Sequence, residues 1–454
     1  MRAAVRDAAW VGGVVIALQL VFMGLLVLGA AVPDRAIVDD LAADVRSGAY
    51  GTNGEPDRMG GRSTTFTDCV SAGTGLGRPD YSALERAVRM PRLESCRTGA
   101  EQIRTMARGE ELQDPKPYFR YWAGYTVVSR PVLAVAGMDG MRLAAGGFLS
   151  LALVFMVLAV TRVTSAWYAL ALVTPLLLSS NVLSLPSSGF SHALSLGVIF
   201  SGVALVAWST RHSLRTTLVA VAVAASVFNF VDLLTTPAIG WAMVGAVVAA
   251  GTFVRSLSYR RTLGTVLVAG LVWPAAYAVT WVSRWLFAAA FLGWDHVMSS
   301  VLGIARFRVD GEFGTVNPAF GAAVPKNWET WRALPVMPEL VLLVSLFLSM
   351  ACLVVAWRRF GSERIVAAGV LAGAAAVVPA WLVVMSNHSQ IHDHFVYRGL
   401  PVAVGIILGA CVVAATAGRS RREGRTSTVD SHARAARCQP DNERVVEGPR
   451  TDSR

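Results

Sequence analysis

The chain has 454 residues, 54% hydrophobic and only 16% charged, with a net charge of +11 and a mean hydropathy of +0.50. Soluble globular domains carry roughly 25% charged residues, so the deficit of charge is a first signal of a membrane protein and, with the recurring apolar runs below, argues against a water-soluble domain. The positive charge does not point to nucleic acid: the arginines sit in short loops and in the C-terminal stretch, where membrane topology collects them and anionic headgroups meet them.

Residues 1–7 are short and basic, and 8–32 form one apolar run. The run is long for a signal peptide and Ala30-Ala31-Val32-Pro33 is a weak cleavage site, so it is expected to be an uncleaved first transmembrane helix within 1–32. Residues 33–130 are polar, with scattered Gly, Asp and Arg. Short helices are expected at 36–46, 81–89 and 100–108, forming a small extracytoplasmic cap on the membrane surface. Cys69 and Cys96 share this segment, and an oxidising exterior would let them pair. Cys352 and Cys411 lie in apolar spans and read as core residues, whereas Cys438 lies in the polar C-terminal stretch.

Within 131–418, apolar runs about 20 residues long, enough to cross a hydrocarbon core, are expected at 141–160, 166–183, 192–208, 216–234, 238–254, 263–283, 338–357, 365–385 and 399–418. With the first helix these make about ten spans, an all-α polytopic bundle with an outer loop at 297–337. Residues 127–137 and 284–296 are apolar but short and are expected to be interfacial or re-entrant. Residues 419–454 are polar and without apolar period, and are expected to be a disordered cytoplasmic tail.

Orientation follows from the short loops. One alternating set carries Arg162, Arg211, Arg215, Arg255, Arg260, Arg261, Arg358, Arg359 and Arg364, while 184–191, 235–237 and 386–397 carry no Lys or Arg. The positive-inside rule puts the first set and both termini in the cytoplasm of a plasma-membrane protein. Segments 33–130, 297–337 and 386–397 then face outward.

The densest outer chemistry is Ser386-Asn387-His388-Ser389-Gln390-Ile391-His392-Asp393-His394-Phe395-Val396-Tyr397-Arg398. His388 and His392 are four apart, so one helical face would carry both. They suit a phosphate or other ligand, a metal, or simply a wet loop with ordinary hydrogen bonds. Asn387-His388-Ser389 also fits a glycosylation acceptor pattern. Arg398 suits a two-pronged grip on lipid phosphate, or snorkelling at a helix end. Asp232 closes an apolar run before Thr235-Thr236-Pro237, and either serves a cavity or caps that turn. Asp40 and Asp68 offer carboxylates in the cap. Arg120, Tyr121 and Trp122 either anchor the chain at the interface or make a sugar-binding surface.

Together, Arg120-Tyr121-Trp122-x-Gly124-Tyr125, Thr67-Asp68, the pattern from Asn229 to Pro237, and Asn387-His388-Ser389 with His392, Phe395, Tyr397 and Arg398 resemble a group of multi-pass proteins of Gram-positive bacteria. That group often has His where this chain has Ala123. More distantly, the layout resembles the GT-C glycosyltransferases. The resemblance implies a lipid-linked sugar donor on a polyprenyl phosphate, a glycan acceptor, and an acid in the first outer loop as base. Asp68 or Asp40 would be that base. His388, His392, Tyr397 and Arg398, with Arg120, Tyr121, Trp122 and Asp232, would bind substrate. A divalent metal is compatible with the sequence but not required by it. The rival readings are a transporter or flippase of a lipid-linked glycan and a non-catalytic envelope assembly factor.

Overall fold

The computed structural model describes residues 2–52, 64–112, 115–232, 234–310, 314, 316–335 and 337–418. The expected tail 419–454, with Cys438, lies outside them. Among the described residues nine helices are long and apolar enough to cross a membrane, or ten if one bent pair counts as a span. The chain is therefore a multi-pass helical membrane protein. Leu143, Leu271 and Phe347 project from the bundle's outside, where hydrocarbon replaces water as solvent. Helix Pro237–Ser256 is the hub, buried nearly throughout and packed on Phe190–Ser209, Tyr259–Leu292 and Gly399–Thr416.

Small residues let these helices approach closely. Gly405 and Gly409 form a small-xxx-small stripe against helix Ala166–Leu178, and a Cβ on Gly409 would lie 2.8 Å from the Tyr168 ring. Tyr168 donates its hydroxyl to Ala246 O at 3.0 Å, which ties that helix to the hub.

Of the two short apolar pieces, one is a helix of its own and one is not. Residues 127–137 lie in a first helical stretch that starts at Thr126 and ends at a non-helical break at Gly137, after which the helix continues to Val163 as the expected span. Gly137 has φ 58°, which only glycine adopts cheaply. The kink frees the Met138 N–H, and Asp44 Oδ2 accepts it at 2.8 Å. Burial raises the Asp44 carboxyl above its ordinary range, partly offset by that bond. By contrast, 284–292 continue helix Tyr259–Leu292, and a new helix, Trp294–Asp310, starts after Gly293.

The expected span 166–183 is also revised. Ala166–Leu178 stops and Val182–Ser188 leaves at 74°. Pro175 and the hydroxyls of Ser179 and Ser180, which donate back to Pro175 O and Leu176 O at 2.6 Å each, account for the break. The freed backbone is satisfied from elsewhere: Trp331 Nε1 donates to Ser179 O at 2.7 Å, and Asn181 N donates to the Tyr397 hydroxyl at 3.2 Å.

The polar segment folds into helices Asp34–Ser47, Thr65–Ala72, Ala83–Arg89 and Cys96–Ala107, with a two-residue antiparallel pair, Pro91–Arg92 on Lys116–Pro117. Helix Thr65–Ala72 was not expected. Buried arginines fasten the segment to the bundle. Arg86 and Arg130 donate to Ala30 O at 2.8 Å and Gly29 O at 3.0 Å, carbonyls at the end of the first helix, and both pair with Asp34. Arg284, 0% exposed, donates to Phe119 O, Tyr121 O, Ala87 O and Val88 O at 2.9–3.0 Å.

Cys69 and Cys96 form a disulfide joining two of these helices, 27 residues apart in sequence. Replacing both by Ser is expected to cost roughly 3 kcal/mol through the freed unfolded chain. Thermal unfolding of the purified double variant measures this, and a transition matching the wild type would contradict it.

Candidate functional site

Segment 386–398 is not a wet loop. It forms helices Ser386–Ile391 and Asp393–Val396, and Asn387, His388, Ser389, His394 and Arg398 are buried. Asn387 is 1% exposed, so its acceptor pattern is closed to glycosylation in the folded chain. Its amide instead donates to Phe307 O. The four-residue spacing does put His388 and His392 together, with ring centres 4.7 Å apart. They converge on Arg308 from helix Trp294–Asp310: its Nη1 lies 3.1 Å from His388 Nδ1 and 2.9 Å from His392 Nε2. His388 Nε2 contacts Leu234 O at 2.8 Å. Burial, then the Arg308 charge, pushes His388 down to about 3, and burial first, then His388 and Arg308, also holds His392 well below the ordinary range. Both shifts favour the neutral imidazole.

Arg398 does not snorkel. It is 0% exposed. Its Nε donates to Asn181 Oδ1 at 2.8 Å, where Tyr397 also donates at 2.9 Å, and its Nη1 lies 3.2 Å from His192 Nδ1. Asn181 sits in the break of the bent span, so the unwound turn is what presents its side chain to Arg398. His192 opens helix Phe190–Ser209 and tilts against Phe395 at 4.7 Å, while His392 stacks on the same ring at 5.0 Å. One phenyl ring thus separates the two arginine–histidine pairs.

The two candidate bases differ in placement. Asp68 is 0% exposed on helix Thr65–Ala72, and its Oδ1 accepts from Ser191 N at 3.4 Å at the start of the His192 helix. Phe66, on the same short helix, packs on His392 and His394 at 6.4 and 6.2 Å. Burial raises the Asp68 carboxyl to about 7, against the lowering pull of Arg142 and the Ser191 and Phe190 amides. Its Oδ2 has no hydrogen-bond partner among the described residues. Asp40 lies half-buried on helix Asp34–Ser47 beside Asp44. That helix packs on Cys96–Ala107 and Thr126–Val163, away from the histidines.

Asp232 caps the turn after its helix: Oδ2 accepts from Thr235 N at 2.7 Å, and the Thr235 hydroxyl bonds to Oδ1. This fixes the backbone whose Leu234 O meets His388, so Asp232 supports the cluster through one peptide. Trp122 is 1% exposed, packed on Phe22, Phe230 and Phe287, with Nε1 donating to Thr280 O at 2.6 Å. It is a core residue, with no ring face left for interface anchoring or sugar stacking. Tyr121 lies against Tyr118 and Trp281, and Arg120 reaches Ser300 Oγ at 3.0 Å. This trio belongs to the wall around Arg284, and Tyr118, whose ring centre lies 5.0 Å from that of Tyr121, is within electrostatic reach of Arg308.

Arg308, His192 and Asn181 were not singled out from the sequence. Only His192 carried a signal, a histidine at the start of an apolar run after Ser187-Ser188. Among the described residues no three His, Cys, Asp or Glu side chains group to hold a metal ion. The histidine lone pairs turn to guanidinium hydrogens instead, so this donor set fits an anion better than a cation. Compared with known proteins, the chain matches no family model, no curated protein and no solved structure.

Proposed function

We propose that this protein is an integral membrane glycosyltransferase of GT-C-like design. It moves a sugar from a polyprenyl-phosphate donor to a cell-envelope glycan on the outer face of the plasma membrane, with both termini cytoplasmic. The observation carrying the reading is the convergence, at one end of the bundle, of two buried or half-buried guanidiniums, Arg308 and Arg398, with His192, His388 and His392, beside a buried carboxyl raised to about 7. Asp68 accepts the proton of an acceptor hydroxyl as its oxygen bonds to the anomeric carbon. The bond from that carbon to the phosphate oxygen breaks, and the departing phosphate keeps the electron pair. Arg308 and Arg398 meet the charge that builds there. A carboxyl near 7 is basic enough to take the proton and still substantially ionised at neutral pH.

Arg398→Lys is the direct test of the phosphate end. Lys keeps the charge but loses the planar fork that reaches Asn181 and His192 together. Transfer, read as glycan product in cells at matched protein levels, is expected to fall roughly 100-fold. Normal product would remove the phosphate role.

A flippase is the second reading, favoured by the 74° break at residues 178–182, since broken helices line transporter sites. Transport would move the donor across the membrane without consuming it.

A further inference from the structure

The arginine–histidine contacts determine where each imidazole keeps its proton. A guanidinium offers only hydrogens. His388 Nδ1 and His392 Nε2, both on Arg308 Nη1, must therefore present lone pairs, and the two hydrogens of that nitrogen serve both. His388 gives an internal check, because its other nitrogen faces a carbonyl, Leu234 O at 2.8 Å, and must donate. By the same logic His392 carries its proton on Nδ1, and His192, whose Nδ1 faces Arg398, carries its proton on Nε2. Those two N–H groups, His392 Nδ1 and His192 Nε2, are buried and have no hydrogen-bond partner among the described residues, and neither has Arg308 Nε. A buried donor without an acceptor is costly. Three such donors beside two positive charges point to a ligand that brings negatively charged acceptor oxygens, and the nearby acceptors without a partner among the described residues, Asp68 Oδ2 and Asn387 Oδ1, leave room for a hydroxyl on the same ligand.

We infer that His192 and His392 are neutral, single-tautomer hydrogen-bond donors to the oxygens of a phosphate ester, with Arg398 and Arg308 as the positioning residues that fix their tautomers. This rests on the reading of the cluster as the donor-phosphate site, and assigns its ligand-facing atoms to two histidines rather than to the arginines alone. Neutral donors suit a leaving phosphate: they hold it without giving it a proton, so the carboxyl remains the group that titrates.

The test uses the full chain purified in detergent, with decaprenyl phosphate and inorganic phosphate as separate probes and ¹⁵N-histidine spectra of the same samples. His192→Phe and His392→Phe are each expected to weaken binding of decaprenyl phosphate roughly tenfold or more. In the wild type the His392 Nδ1 signal should remain that of N–H, and Nε2 that of a bare nitrogen, from about pH 5.5 to about pH 8. In Arg308→Gln the ring should lose that fixed assignment and titrate. Inorganic phosphate binding in the same way supports the phosphate site and gives its headgroup affinity without the lipid. The inference is overturned if His392 in the wild type bears its proton on Nε2 or becomes imidazolium in that range. It is equally overturned if both Phe variants bind as the wild type does, or if neither probe binds. Intact binding and tautomers with no sugar transfer would instead sink the transferase reading and leave this site standing.

Discussion

Asp68→Asn is expected to lower sugar transfer by roughly 10³-fold while leaving donor binding intact, because a general base contributes on the order of 10²–10⁴. Asn cannot take the hydroxyl proton, yet it can still accept from Ser191 N, where Asp68 Oδ1 accepts at 3.4 Å. In the wild type, transfer should rise with pH through about 7, the value to which burial lifts this carboxyl. The Asn variant should lack that limb. Stability moves the opposite way. The folded chain holds the Asp68 proton more tightly than the unfolded chain, whose carboxyl titrates near 3.8. Between about 4 and about 7 the folded state binds more protons, so ionisation of this one group lowers stability as pH rises. The Asn variant, which never ionises, should be at least as stable as the wild type above neutrality. Asp40→Asn should leave transfer unchanged, since Asp40 sits on a helix turned away from the histidines. Measuring transfer against pH for the three proteins decides between them. A flat wild-type profile, or loss of transfer only in the Asp40 variant, would move the base elsewhere.

The second large effect is structural. Arg284 holds four backbone carbonyls of the polar segment, at residues 87, 88, 119 and 121, to a transmembrane helix. It also lies 5.7 Å from the Trp122 ring centre, over its face. Arg284→Leu would fill the space but leave those acceptors buried and unmet, a loss of roughly 3–5 kcal/mol. Arg284→Lys keeps the charge but supplies three donors from one point, so it should recover only part of that. Thermal unfolding in detergent and protease cutting within 83–125 report the loss. Wild-type resistance in Arg284→Leu would show that packing alone holds the segment.

Much of this architecture was legible because lipid imposes it. A backbone inside hydrocarbon must close its own hydrogen bonds, so apolar runs translate directly into helices. The run boundaries were less legible. The kink at Gly137 depends on Asp44, about ninety residues earlier, supplying the missing acceptor. The break at 178–182 starts from the local Pro175, Ser179 and Ser180, but its freed backbone is satisfied by Tyr397 and Trp331, more than 150 residues later. Neither partner is visible from local composition. The histidine pair was legible from its spacing, and so was Arg398 beside it. Their partners were not, because Arg308 is one arginine among several in a polar stretch and Asn181 gains its role only when the helix unwinds. Arg284 does carry a local signal: an arginine inside Trp281-Val282-Ser283-Arg284-Trp285 is costly in a membrane and must have partners.

The proposed reaction breaks a sugar–phosphate bond, whereas a flippase would carry the lipid across intact. Purified protein in sealed liposomes, supplied with a radiolabelled polyprenyl-phosphate sugar in the outward-facing leaflet and an oligosaccharide acceptor in the medium, tests the distinction most directly. A transferase is expected to leave labelled saccharide in the water phase and free polyprenyl phosphate in the membrane, both lost in Asp68→Asn. Label that moves between leaflets with its sugar–phosphate bond intact, equally in the wild type and Asp68→Asn, would make the protein a flippase and not a transferase.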